Sequence, residues 1–442
     1  MAMTWVRAIA IATLPAIVVA ASLSGCVFPP SAPPTASPAS TPPPAATSAE
    51  SPAPAPAPAP KPTPAPSVAA APPVPVLPVD DAILKAANEL FSKSQIPPAG
   101  APSRQAVVID PLVDGISGEQ SNATRSLESR IIDLVRSKYP QFEVLPFSAS
   151  SVANAPIVLV GTFTAIDLQN KTGAVREAFR ICLALADLKS GKIVSKGTAR
   201  AQTQGVDISP TAYFRDSPTW AKDPLVDGYV KTCQGTKVGD PIDPVYLDGV
   251  MAATLISDAI NFYNGSRYKE SLDLYKSALR LPAGEQLRVF NGIYLASWKL
   301  GRKEEAAQAF GRIVDYGLSN KRLAVKFLFK PGSTAFWADS QASGPYSVWL
   351  QQIARHSAQS NACLEIVGHT SRTGPEPLNE RLSVLRAEYV KQRLESEVPH
   401  LSNRTIAGGR GSRENIVGTG TDNASDALDR RVEFKVIGCE ST

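Results

Sequence analysis

The sequence predicts a multidomain mixed α/β protein, with a small α/β domain, two helical hairpins and a C-terminal α/β sandwich on a mixed sheet. Three observations predict it. The chain has 442 residues, which suits two or three domains at roughly 100–200 residues each. Twenty of its 39 prolines fall in residues 29–78, a stretch with no aromatic residue and only Glu50 and Lys61 charged. Beyond that arm the hydrophobic period switches twice: residues 80–245 mix strand-like runs with a helical segment, 246–320 are helical, and 323–442 alternate again. A net charge of +5 is too diffuse to imply nucleic acid. Three histidines and the lack of any C-x-x-C leave no metal or cofactor to expect. After residue 30 no apolar run approaches ~18 residues, so no transmembrane helix is expected.

The first residues read as an address. Arg7 precedes an apolar stretch at 8–21, the pattern of a secretory signal rather than a membrane span. Leu23-Ser24-Gly25-Cys26 follows and resembles a bacterial lipoprotein lipobox. The resemblance implies that residues 1–25 are removed and Cys26 is acylated. Val27, where an aspartate would retain the inner membrane, implies an outer-membrane anchor facing the periplasm. Residues 26–79 hold almost nothing to bury. Their Ala-Pro alternation favours polyproline II, so fifty residues would reach on the order of 150 Å at ~3.1 Å each. That is a spacer.

Residues 80–245 predict strands at 105–110, 142–147, 156–166, 180–187 and 192–198. A helix is expected at 124–138, where Leu127, Ile131, Ile132 and Val135 recur at helical spacing. Leu188-Lys189-Ser190-Gly191 marks a hairpin turn. The order of elements resembles the small α/β domains of outer-membrane lipoproteins. Gly115 and Gly118, ahead of the helix, invite a phosphate site. Neither G-x-x-x-x-G-K-[ST] nor G-x-G-x-x-G occurs, so a Gly-bearing turn is expected, with Asp110 at a strand end and Asp114 in the turn.

In residues 246–320, Ala259, Phe262, Tyr268, Ser271, Tyr275 and Ala278 mark the packing face of one hairpin. Gly301, Ala306, Ala309, Phe310 and Ile313 mark the second. Ser271 and Ala306 stand 35 positions apart, close to the tetratricopeptide period of 34, so the hairpins resemble that repeat. Two units are fewer than the three a stable stack needs, so they should lean on a neighbour. A docking surface for an envelope protein across residues 80–320, with a peptide groove on the hairpins, and a plain helical spacer both fit.

From residue 323, strands are expected at 325–329, 364–367, 405–406 and 432–437, with helices at 347–357 and 378–395. On the second helix Asn379 and Arg386 lie seven residues apart and point the same way within ~20°. Leu382, Leu385 and Val390 can face the sheet. The blocks Gly368-His369-Thr370, Gly374, Asn379, Leu382-Ser383, Arg386-Ala387 and Asp429-Arg430-Arg431-Val432-Glu433 closely resemble the OmpA C-terminal-like family, shared with Pal and MotB. That family binds peptidoglycan non-covalently. The resemblance implies a pocket for the diaminopimelate of the peptidoglycan stem, formed by Ser371, Thr373, Gly374, Asn379, Leu382, Arg386 and Arg430. Arg386 would fork onto a stem carboxylate. His369 would shape the loop rather than move protons. The family usually reads His-Thr-Asp, its aspartate meeting the ligand's ammonium; Ser371 supplies no such charge, which implies weaker binding unless Glu376 or Glu380 replaces it. Ser425-Asp426 likewise stands where Gly-Arg is common.

With Cys26 acylated, Cys182, Cys233, Cys363 and Cys439 remain, an even number for an oxidising compartment. Pairing within domains gives Cys182–Cys233 and Cys363–Cys439 as disulfide candidates. S-x-x-K at 266–269, K-T-G at 171–173 and an S-D-N-like triplet at 421–423 run in the wrong order for a penicillin-binding enzyme, and no enzyme is expected. The whole reads as an outer-membrane lipoprotein that tethers the membrane to peptidoglycan. The alternative is an assembly or regulatory factor of an envelope machine, for which wall binding serves only localisation.

Overall fold

The computed structural model describes residues 75–441 apart from 95, 97–103, 155–156, 173–175, 221, 331, 337–343, 417, 419, 421–425 and 427. The signal segment, Cys26 and the proline-rich arm to residue 74 lie outside the described residues.

The α/β module opens with β1 (Val76–Leu77) and α1 (Val79–Ser92), then β2 (Gln105–Ile109), α2 (Asn122–Lys138), β3 (Phe142–Leu145), α3 (Ala149–Asn154), β4 (Ile157–Ile166), β5 (Ala178–Asp187) and β6 (Lys192–Ala201). The sheet order is β1-β6-β5-β4-β2-β3. Strand β2 runs parallel to β3 and β4, while β4, β5 and β6 form an antiparallel meander. These strands read as near-continuous apolar runs because both faces of the sheet are covered. Val107, Leu159 and Leu183 join the core beneath α1 and α2. Their neighbours Val108, Val158 and Ala184 point the other way. After the short α4 (Ala212–Asp216), that second face is covered by α5 (Pro224–Gln234) and the first half of α6 (Pro244–Asn264). Helix α1 has no counterpart in the sequence reading; its inner face is built of Ala82, Ile83, Ala86, Ala87, Leu90 and Phe91.

Cys182 on β5 and Cys233 on α5, one of the two expected pairs, are buried and face each other with their sulfurs 2.6 Å apart, longer than the ~2.05 Å of an S–S bond; they are free cysteines in this structure.

Helix α6 crosses the expected boundary at 245/246. Tyr246, Val250 and Ala253 belong to the α/β core, whereas Ile256, Ala259, Ile260 and Tyr263 belong to the core of the hairpins. The first hairpin pairs α6 with α7 (Tyr268–Ala278), the second α8 (Leu287–Lys299) with α9 (Lys303–Ser319). Ser271, Tyr275, Ala278, Ala306, Ala309, Phe310 and Ile313 are buried. Phe262 is only half-buried, with the Arg267 guanidinium 4.3 Å from its ring, and Tyr263 takes the inward place. Gly301 forms the turn, at φ +73°, instead of the packing face.

The second sheet, ordered β7-β10-β8-β9, comprises β7 (Arg322–Val325), β8 (Cys363–Gly368), β9 (Thr405–Gly409) and β10 (Val432–Ile437). Helix α10 (Tyr346–Gln359) packs against α11 (Glu376–Glu397), which lies on the sheet. A disulfide joins Cys363 to Cys439. On α10, Trp349, Gln352 and His356 form one stripe against α9. The Trp349 Nε1–H donates to the Tyr294 hydroxyl (2.7 Å), its ring stacks on Phe310 (5.6 Å), and His356 Nδ1 lies 2.7 Å from Asp315. The hairpins therefore lean on the C-terminal module, and α10 occupies that face of α9.

Loop 114–121 of the α/β module ties the parts together. The Lys326 ammonium, buried, lies 3.1 Å from Glu119 and donates to the Phe214 carbonyl at 2.8 Å. Trp220 donates its indole N–H to the Ser117 carbonyl at 3.1 Å. Residues 218–220 also extend the sheet beyond β7, through Lys326 N–H to Pro218 O (2.8 Å) and Trp220 N–H to Ala324 O (3.2 Å). Strand β7 is Arg322–Val325 where 325–329 is expected, so the two share only Val325.

Candidate functional site

Strand direction assembles the site. Strands β7 and β8 both run antiparallel to β10, and β9 runs parallel to β8. The loops leaving β7, β8 and β9 and the segment entering β10 therefore lie at one end of the sheet. Helix α11 crosses this end at backbone distance: a Cβ on Gly368 would stand 2.1 Å from the Ser383 carbonyl oxygen, and one on Gly409 2.2 Å from Ser383 Oγ. Only glycine fits at either position.

The expected pair on α11 faces inward together. Asn379 and Arg386 are 6% and 4% exposed. Asn379 Nδ2 donates to the Gly374 carbonyl at 3.3 Å. Arg386 Nε and Nη2 donate to the carbonyls of Ser333 (3.3 Å) and Lys330 (3.4 Å), and the guanidinium lies 4.8 Å from the Phe329 ring. Gly374, at φ +88°, turns the chain ahead of α11. Ser371 is buried, Thr373 and Gly374 are exposed, and Leu382 and Arg430 are half-buried. Leu385 does not face the sheet; it is 40% exposed, because the inward stripe runs through Ser383, Arg386, Ala387 and Val390.

Two side chains expected to replace the missing aspartate are engaged elsewhere. Glu376 bonds the hydroxyl of Ser412 and accepts its N–H at 3.2 Å, and Glu380 pairs with Arg413 at 3.0 Å. His369 is fully buried, and burial together with the Arg431 charge holds its pKa near 3, so the ring is neutral. Burial opposes the Glu433 charge, but a fork from Arg322 (2.9 and 2.7 Å) and a single bond from Arg431 Nε (2.7 Å) overcome it and hold Glu433 at about 2.

Sequence reasoning missed Phe329, Lys330 and Ser333, which receive Arg386; Pro331-Gly332 is the turn signal that marks their loop. It also missed Asn415, whose Nδ2 donates to the Thr370 carbonyl at 2.8 Å.

The loop after β2 is a turn rather than a phosphate cradle. Asp114 Oδ1 accepts the N–H groups of Ile116 (3.0 Å) and Ser117 (2.7 Å), which consumes the donors an anion would need. Asp110 is not its partner; its carboxylate accepts the Tyr246 hydroxyl at 2.7 Å.

Residues 328–427 match the OmpA family model. No curated protein matches the chain. Among solved structures, the peptidoglycan-associated lipoprotein from Burkholderia pseudomallei is 25% identical, covering 26% of this chain and 89% of that one, with a TM-score of 0.21. An outer membrane protein from Borrelia burgdorferi B31 is 22% identical over 26% and 88% of the two chains, TM-score 0.21. The cell wall anchor of the T6SS from Pseudomonas aeruginosa is 19% identical over 29% and 96%, TM-score 0.23.

Proposed function

We propose, from the premise that residues 328–427 are an OmpA-family domain, that this protein binds peptidoglycan non-covalently and ties the outer membrane to the cell wall. One observation carries the reading. Arg386 and Asn379 are buried on one face of α11, where the loops that follow β7 and β8 converge. Ser371 and Arg430 sit on segments at the same end of the sheet. A guanidinium so placed offers a fork of donors to a carboxylate. The ligand is the diaminopimelate-type stem peptide, contacted by Ser371, Thr373, Gly374, Asn379, Leu382, Arg386 and Arg430. Cys26 carries the acyl anchor and the proline-rich arm spans the gap. Because both grips act within one molecule, modest affinity at each gives durable attachment.

Co-sedimentation of the full chain with purified diaminopimelate-type sacculi tests this. Arg386→Ala is expected to weaken binding on the order of 100-fold, the usual scale for truncating a buried charge that meets its partner. A variant that sediments like the wild type would remove the pocket from the reading.

A further inference from the structure

The segment entering β10 carries two carboxylates, Asp426 and Asp429, both fully buried. Such groups persist only where hydrogen bonds and opposite charge compensate the loss of water. Asp429 commits both oxygens to backbone: Oδ1 accepts the Ile416 N–H at 2.6 Å and Oδ2 the Gly418 N–H at 2.7 Å. The chain just before those residues touches the candidate site. Asn415 donates to the Thr370 carbonyl, the Thr370 N–H donates to Gly411 O (2.9 Å), and Arg431 Nη2 donates to Glu414 O (3.2 Å). Asp429 thus sets a loop that holds the residue preceding Ser371, and it immediately precedes Arg430.

The surface opposite belongs to the α/β module. Arg176, two residues before β5, lines one cleft with Asp114, Ile416 and Leu428. The charges of Asp114, Asp426 and Asp429 all act on its guanidinium, which also lies 5.2 Å from the Phe179 ring. The two modules are held in this relation by the buried Glu119–Lys326 pair and by the Trp220 bond to Ser117.

We infer that Arg176 is a positioning residue for the wall-binding site, a cation of the α/β module that compensates the buried Asp426 and Asp429 and, through Asp429, steadies the Ile416 and Gly418 amides and with them Asn415 against Thr370. The inference rests on the peptidoglycan reading above and adds that the site is completed across a module boundary.

Two readouts on the full chain test it: affinity for sacculi, and hydrogen exchange at the Ile416 and Gly418 amides. Arg176→Ala is expected to weaken binding on the order of tenfold and to speed exchange at both amides. Arg176→Lys, which keeps the charge, should restore most of both. Arg176→Ala that binds and exchanges like the wild type overturns the inference. So does equal loss in Ala and Lys variants together with a matching fall in thermal stability, which would mark a merely structural role. If the wild type itself fails to bind sacculi, the peptidoglycan reading falls. The exchange rates then decide the brace alone: faster exchange in Arg176→Ala supports it, and unchanged exchange overturns it.

Discussion

Cut away from residues 71–320, the C-terminal module is expected to unfold at a much lower urea concentration than it does within the chain. Its helix α10 turns Trp349 toward the hairpins, where the indole stacks on Phe310 and bonds Tyr294. Leu323 of β7 packs so closely on α9 that a Cβ on Gly317 would stand 2.7 Å from the Leu323 Cβ. Burial of two such side chains is worth about 3–6 kcal/mol. A whole domain is stable by only about 5–15 kcal/mol. Strand β7 would also lose residues 218–220 from its outer side, and Lys326 would lose Glu119. Urea unfolding of residues 321–442 and of the full chain, followed by circular dichroism and dye binding to exposed apolar surface, measures the difference. Coincident midpoints would show that the hairpins are a mere spacer. Given the expected gap, a binding test on the fragment needs proof that the fragment is folded under the conditions used.

How much of this was legible in the sequence depends on the range of the interaction. Helical spacing places Asn379 and Arg386 on one face with no further information, and α11 spans Glu376–Glu397 where 378–395 is expected. Strands buried on both faces announce themselves as apolar runs, so β2, β4, β5 and β6 fall within a few residues of expectation. Local turn chemistry is equally readable: Asp114 bonds the two amides that follow it, as a turn aspartate does. The Cys363–Cys439 disulfide apart, what escapes is the pairing between distant segments. Glu119 meets Lys326 across 207 positions, and nothing near either residue signals the other. The same holds for Trp349 with Tyr294, and for residues 218–220 beside β7. Helix α1 escapes as well, although Ala82, Ile83, Ala86, Ala87, Leu90 and Phe91 recur at helical spacing along its inner face. Glu376 and Glu380 were plausible charges for the pocket by proximity in sequence, yet both turn to the 412–413 loop that crosses beside α11.

Asp110→Asn is expected to stabilise the protein at pH 8 and to flatten its dependence on pH. Asp110 closes β2 on the face covered by α6, and its carboxylate accepts the Tyr246 hydroxyl. Burial raises its pKa from 3.8 to about 7, against the pull of the Tyr246 bond and the Arg288 charge, while Glu128 adds to the rise. The unfolded chain releases this proton near pH 4, whereas the folded chain keeps it until about pH 7. The contribution is therefore fully present below pH ~4, falls as the pH rises through 7, and is absent above. At 1.36 kcal/mol per pH unit that interval corresponds to on the order of 4 kcal/mol. Asparagine keeps an acceptor for Tyr246 and cannot ionise, so at pH 8 the variant should exceed the wild type by about 1–4 kcal/mol. Burial also raises Asp114 and Glu119, which leaves a slope of the same sign in both proteins, so the quantity to follow is their difference. Urea unfolding at pH 4.5, 6 and 8 measures it. A variant less stable than the wild type at pH 8 would mean that Asp110 is ionised in the fold and held by Arg288. Because α6 belongs to the α/β core at one end and to the hairpin core at the other, a charge forced onto Asp110 acts on the joint between them, and the loss at high pH should appear first as loosening of the hairpins.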